Sequence, residues 1–204
     1  MTQPYPPETD WPALASALME SRQTVLPKRL FAPGPSNEQR QDILRAAASA
    51  PDHGRIVPWR FVEVTQVQRS DLAQAFAAAL FERDPQAAPE QLEQAREKAY
   101  RAPWLLLAVV DEIRGDAEVD LHERIVSAGC AVQNMLLMAT AQGFGSALTS
   151  GKALKSVALR RLFGLVPGEH ALCFMSIGTV QKSQSPRLRP SVQAFHGTLH
   201  PPIP

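Results

Sequence analysis

The stretch Ile125–Gly151, Ile-Val-Ser-Ala-Gly-Cys-Ala-Val-Gln-Asn-Met-Leu-Leu-Met-Ala-Thr-Ala-Gln-Gly-Phe-Gly-Ser-Ala-Leu-Thr-Ser-Gly, carries no formal charge. Ile125 to Gln142 reads as one helix with apolar residues on every face, and such a helix is expected to be buried on all sides. At about 1.5 Å per residue it spans roughly 27 Å, enough to serve as the axis of a small domain. Gly143 stops it, and Ser146 to Ser150 reads as a short strand. Gln133 and Asn134 at mid-helix, with Asp120, Glu123 and Arg124 at its start, argue against a membrane span. The small residues Ser127, Ala128, Gly129 and Ala131 imply the close approach of another backbone. Two neighbours satisfy this, a second copy of the helix across a two-fold axis or a strand of the same chain.

N-terminal to this axis, Thr9 or Asp10 can cap a helix with Pro12 in its first turn, ending near Arg22. Ser36-Asn37-Glu38-Gln39 has the capping-box pattern, and Ile43, Leu44, Ala47 and Ala48 continue that helix toward Pro51. Trp59 to Val64 reads as a strand, Ser70-Asp71 as the cap of a helix through Phe81, and Pro89 to Arg101 as another helix. Trp104 to Val110 is a continuous apolar run of strand length, which implies burial on both faces. Ser156 to Phe163 is a short amphipathic helix and Ala171 to Gly178 a last core strand. Helices and strands in alternation would ordinarily suggest a doubly wound sheet.

Composition sets the outer bounds. A chain of 204 residues without linker or repeat makes one domain, 1–204, with 1–8 and 181–204 as extended arms; the C-terminal arm either dangles or wraps a neighbour. A net charge of +1 provides no field for nucleic acid. Cys130 and Cys173 belong to no recognisable motif and read as small core residues. The five histidines, at 53, 122, 170, 196 and 200, lack ligand spacing, so no metal site is expected. No basic, then apolar, leader opens the chain, so a cytoplasmic location is expected.

Gly143-Phe144-Gly145 begins like a dinucleotide fingerprint, but it lacks the third glycine and follows a helix, where the fingerprint must follow a strand. No nucleophile elbow, Walker loop or His-Glu-x-x-His helix is present. If the chain is an enzyme, a cofactor carries its chemistry. Five short stretches in order then become specific: Arg22-Gln23-Thr24; Ser49-Ala50-Pro51-Asp52-His53 with Pro58-Trp59; Ser127 to Ala131; Gln142 to Gly145; and Leu148-Thr149-Ser150-Gly151. Together they resemble the FMN-dependent nitroreductase family, and within it the small YdjA-like branch.

The resemblance implies an α+β fold, with a central, mainly antiparallel sheet surrounded by helices, in an intertwined homodimer that holds FMN at its interface. It also implies an oxidoreductase that takes electrons from NADH or NADPH and passes them to a small electron-poor acceptor such as a nitroaromatic or quinone. Carried over by position, Arg22 would face the FMN phosphate with Gln23 and Thr24 beside it. Ser49 and His53 would come from the partner chain, and Leu148, Thr149 and Ser150 would line the flavin or its ribityl chain. Lys182 would be a further phosphate ligand. No side chain of the protein is expected to be catalytic in its own right. The chain departs from the family pattern at Gln23, Ser49 and Leu148-Thr149, where the pattern has Arg, Arg and Trp-Arg, so up to three positive charges are missing. Lys182, Arg187 or Arg189 could substitute for them. An alternative reading follows from the missing charges, a flavin-binding dimer that sequesters or regulates without turning over nicotinamide.

Overall fold

A computed structural model describes residues 9–182 and 188–199. Its element order is α1 (Trp11–Ser21), α2 (Asn37–Ala47), β1 (Trp59–Glu63), α3 (Arg69–Arg83), α4 (Pro89–Glu97), β2 (Trp104–Asp111), α5 (Leu121–Ala141), β3 (Gly145–Thr149), α6 (Val157–Leu162) and β4 (Glu169–Gly178). The sheet runs β1-β2-β4-β3, and every pairing is antiparallel. The fold is therefore α+β, as the resemblance implied, and the doubly wound alternative suggested by alternation alone is wrong. The links between strands are too varied in length and direction for the repeated right-handed crossovers of a parallel sheet.

β2 is the centre of the molecule. Trp104, Leu106, Ala108 and Val110 face α2 and α5, packing with Ile43, Ala47, Ala131, Met135 and Met175. The alternate residues Leu105, Leu107 and Val109 pack on the other side with Leu72, Ala99, Leu154, Leu159 and Phe174. A strand covered on both faces is what its unbroken apolar run demands.

Several helix ends form as their residues dictate. The Asp10 carboxylate accepts from the Ala13 amide at 3.1 Å. Ser36 and Gln39 make both bonds of the capping box, at 3.2 and 2.9 Å. Ser156 caps α6 through the Leu159 amide. The cap assigned to Ser70-Asp71 is not made: α3 starts at Arg69, which puts both residues inside the first turn. The segment expected as one helix to Arg101 divides into α4 and a tight turn over Lys98–Tyr100.

The axial helix starts a turn earlier than its uncharged run, because Asp120 accepts from the His122 and Glu123 amides at 2.6 and 3.1 Å. The polar residues His122, Glu123 and Arg124 thus lie inside α5. Nor is α5 covered all round by its own chain. Val126, Gly129 and Gln133 form an exposed stripe along it, with Ile125 beside them. A side-chain carbon built at Gly129 would meet nothing within 4 Å.

Two buried guanidiniums fasten the loops. Arg124, with no exposed surface, donates to the carbonyls of Val119, Asp111, Arg114 and Asp116 at 2.5 to 3.2 Å and so fixes the loop between β2 and α5. Arg69, 1% exposed, donates to the carbonyls of Ala99 at 2.7 Å and Ala102 at 3.2 Å, with longer bonds to Arg101 and Pro103. Burial pushes its guanidinium below the ordinary value.

Candidate functional site: two clefts flanking an edge strand

β3 is an edge strand whose outer side is partly covered by the segment after α1. Thr24 forms a parallel bridge with Ser146, and the Val25 amide donates to the Ser146 carbonyl at 2.8 Å. This contact sets Arg22 and Thr24 beside Ser146 and Leu148 even though more than a hundred residues separate them in the chain. Gly145 is required there, because an added side-chain carbon would lie 2.3 Å from Val180. Arg189 secures the approach by donating to the carbonyls of Glu20 and Arg22 at 3.3 and 2.9 Å.

The residues of β3 and of the turn after it divide between two clefts, Ser146 to Leu148 lining one and Thr149 to Gly151 the other. On the α5 side, a cleft of about 240 Å³ is lined by Arg22, Thr24, Gln133, Leu136, Ser146, Ala147 and Leu148. Its donors are one guanidinium, hydroxyls and an amide. The Arg22 side chain bonds to nothing among the described residues. On the opposite side, a cleft of about 250 Å³ opens between α3, α4 and the sheet. Phe76, Leu80, Leu105, Leu154 and Phe174 form its apolar floor, Thr149, Ser150 and Ser176 add hydroxyls, and Arg83, Lys98, Arg101 and Lys152 surround it. No carboxylate lines either cleft.

Of the expected site residues, Arg22, Thr24 and Leu148 meet in the first cleft and Thr149 and Ser150 in the second. Gln23, half-buried, and Lys182, exposed, line neither. Arg187 lies outside the described residues. Ser49 and His53 are exposed and likewise line neither cleft. The His53 ring sits 2.7 Å from the Glu123 carboxylate, and that hydrogen bond holds its pKa above the usual 6.5. Sequence reading missed Gln133, Ser146 and all four cations of the second cleft. Lys98 and Arg101 follow a helix C-terminus, where basic residues are commonplace, so nothing local marks them. The two cysteines are not part of either cleft; burial pushes the Cys173 thiol up to about 11.

With the strand, the bridge and the motif residues placed, comparison with known proteins is decisive. The model of the Nitroreductase family matches residues 21–179. The chain belongs to the nitroreductase family. It is 36% identical over 159 residues to a protein of Escherichia coli strain K12 named as the NAD(P)H nitroreductase YdjA, covering 77% of this chain and 84% of that one. A nitroreductase-like family protein of Bacillus cereus has the same fold, with a TM-score of 0.77 at 17% identity over 90% of this chain and 95% of that one. An FMN- and NADPH-dependent nitroreductase variant from Sphigopyxis sp. strain HMH superposes with a TM-score of 0.71 at 17% identity, over 90% of this chain and 98% of that one. Among the described residues no helix is long and apolar enough to cross a membrane, and no group of side chains could hold a metal ion.

Proposed function

We propose that this nitroreductase-family chain is an NAD(P)H-dependent flavin oxidoreductase that binds FMN along β3 as a homodimer and reduces a small electron-poor acceptor. The observation that carries the reading is the pair of acid-free clefts on either side of β3. Each holds residues of the family motif, and each is smaller than the roughly 300 to 1,000 Å³ of a complete small-molecule site. A site shared between two chains would be half-built in one.

The residues fit the cofactor. Arg22, whose side chain has no partner among the described residues, offers a fork of donors to a phosphate, and the Thr24 hydroxyl lies in the same cleft. Thr149, Ser150 and Lys98, in the other cleft, would hold the polar edge of the flavin. Bound FMN supplies the redox chemistry, accepting electrons from NADH or NADPH and passing them on. The chain's own work is to orient the ring, keep water off its apolar floor and place a cation beside the edge that becomes more negative on reduction. Ser49 and His53, remote from both clefts within one chain, are proposed to serve the partner's site. The dimer would form along the exposed stripe of α5, where Gly129 leaves room for a second backbone. Gly129→Leu should then turn the dimer into monomers in sedimentation while leaving the isolated fold intact.

The alternative, a non-catalytic flavin-binding dimer, draws on the uncharged Gln23, Ser49 and Thr149. Lys98 and Lys152, which line the same cleft as Thr149 and Ser150, restore positive charge on that side, which favours the enzyme. The purified protein is expected to be yellow, dimeric and bleached anaerobically by NADH or NADPH. A yellow dimer indifferent to both nicotinamides would establish the alternative. Colourless protein that takes up no added FMN would overturn both.

A further inference from the structure

The cleft between α3, α4 and the sheet holds more positive charge than the proposed flavin contacts use. Arg83, Lys98, Arg101 and Lys152 all line it, no aspartate or glutamate does, and none of the four makes an ion pair among the described residues. The two carboxylates flanking Arg83 in sequence have other partners: Glu82 accepts from the Val157 amide at 3.3 Å and Asp84 from the Gln86 amide at 3.2 Å. Beneath these cations the floor is aromatic and aliphatic. Phe76 and Phe174 stand edge to face with centroids 5.5 Å apart, and Leu80, Leu105 and Leu154 complete it. The positions of Lys98 and Arg101 are set by the chain, since Arg69 fastens the carbonyls of Ala99, Arg101 and Ala102.

We propose that Arg83 and Arg101, two of the four cations lining this cleft, make this enzyme selective for aromatic carboxylates as electron acceptors. The proposal deepens the flavin reading and rests on it. A flat ring with a carboxylate matches both halves of the cleft: the ring covers apolar floor, and a guanidinium fork meets the two carboxylate oxygens. A neutral nitroaromatic or quinone would leave the cations unmatched. The 2′-phosphate of NADPH carries the same kind of charge, but it is attached to a hydrated ribose that gains nothing from a floor of Phe76, Leu80 and Phe174. Each exposed charge contributes little alone. Several of one sign around a low-dielectric wall act together in concentrating an anion. With 4-nitrobenzoate, the first reductive step consumes one NAD(P)H and one proton. It gives 4-nitrosobenzoate, NAD(P)+ and water: one nitrogen–oxygen bond breaks, and the oxygen leaves with the two hydrogens.

The test compares 4-nitrobenzoate with 4-nitrobenzyl alcohol on the FMN-loaded protein, using wild type, Arg83→Gln and the double variant Arg83→Glu, Arg101→Glu. Wild type is expected to prefer the carboxylate by about tenfold in kcat/KM at low salt, with the preference shrinking as salt rises. The double variant should lose that preference while retaining FMN absorbance and its rate with the neutral alcohol. The single variant should fall between them. Equal use of both acceptors by wild type, or a preference untouched by charge reversal, would overturn the proposal. So would a result in which charge reversal slows anaerobic bleaching by NADPH but not NADH and leaves the acceptor preference alone, because the cations would then serve the donor. Equilibrium dialysis of 4-nitrobenzoate onto the same proteins reads the cleft independently of turnover. Protein that holds no flavin would sink the flavin reading, and the dialysis would still decide this one, with equal binding to wild type and double variant counting against it.

Discussion

The two sides of β3 are built on opposite principles. The side toward α3 and α4 already carries an apolar floor, a wall fastened by Arg69 and four cations from its own chain. The side toward α5 has one cation, Arg22, a few neutral donors and an open flank where the stripe of α5 is bare. A difference of this kind suggests a division of labour. On the proposed reading the cation-lined side sorts small molecules by charge, and the open side would gain its missing wall from a second chain.

That contrast can be broken most severely at Arg69. Arg69→Met would leave the buried carbonyls of Ala99 and Ala102 without donors, at about 1 to 3 kcal/mol each, so urea denaturation should show a loss of about 3 kcal/mol or more. Arg22→Ala attacks the other side. Removing a charge-assisted contact should weaken FMN binding by about 1.5 to 3 kcal/mol, roughly ten- to more than a hundredfold in Kd by flavin fluorescence, with little change in folding stability. Unaltered flavin affinity would mean that the phosphate lies elsewhere.

Glu169 provides a control remote from both clefts. Its carboxylate accepts from Arg60 at 2.6 and 2.9 Å, a contact that holds its pKa below the ordinary 4.5. The stability this provides is fully present above 4.5 and is lost as pH falls through the lower folded value. Glu169→Gln should therefore cost about 1 to 2 kcal/mol at neutral pH and flatten the acid limb of the stability profile. The smallest effect concerns His53. Its pKa is raised by Glu123, so the pair's contribution is present below 6.5 and lost as pH rises through the higher folded value. An NMR titration should place the ring above 6.5, and Glu123→Gln should bring it back down.

Much of the fold was legible because its signals are local. The Ser36 capping box, the doubly covered β2 and the Asp10 cap each follow from a few adjacent residues and one rule of hydrogen bonding or burial. The starts of α3 and α5 were misplaced for the opposite reason: Ser70 and Asp71 look like caps, yet the chain enters the helix earlier, while Asp120 caps α5 ahead of three polar residues that looked like a boundary. At the site, Arg22, Thr24, Leu148, Thr149 and Ser150 were readable as motif. Their division between two clefts was not, since it depends on the bridge of Thr24 to Ser146 and on which helices pack beside each end of β3. The four cations were invisible because they come from three separate stretches, brought around one floor only by tertiary packing.

Arg69 and Arg124 hold their loops by backbone carbonyls alone, groups with no proton to gain across any ordinary range of acidity. Those two fastenings should be indifferent to acid when the Arg60–Glu169 corner gives way. Acidification below 4.5 would therefore loosen the far end of the sheet first and leave the wall beside the cation-lined cleft standing, so that a partly unravelled molecule keeps the half of its architecture on which the proposed recognition depends.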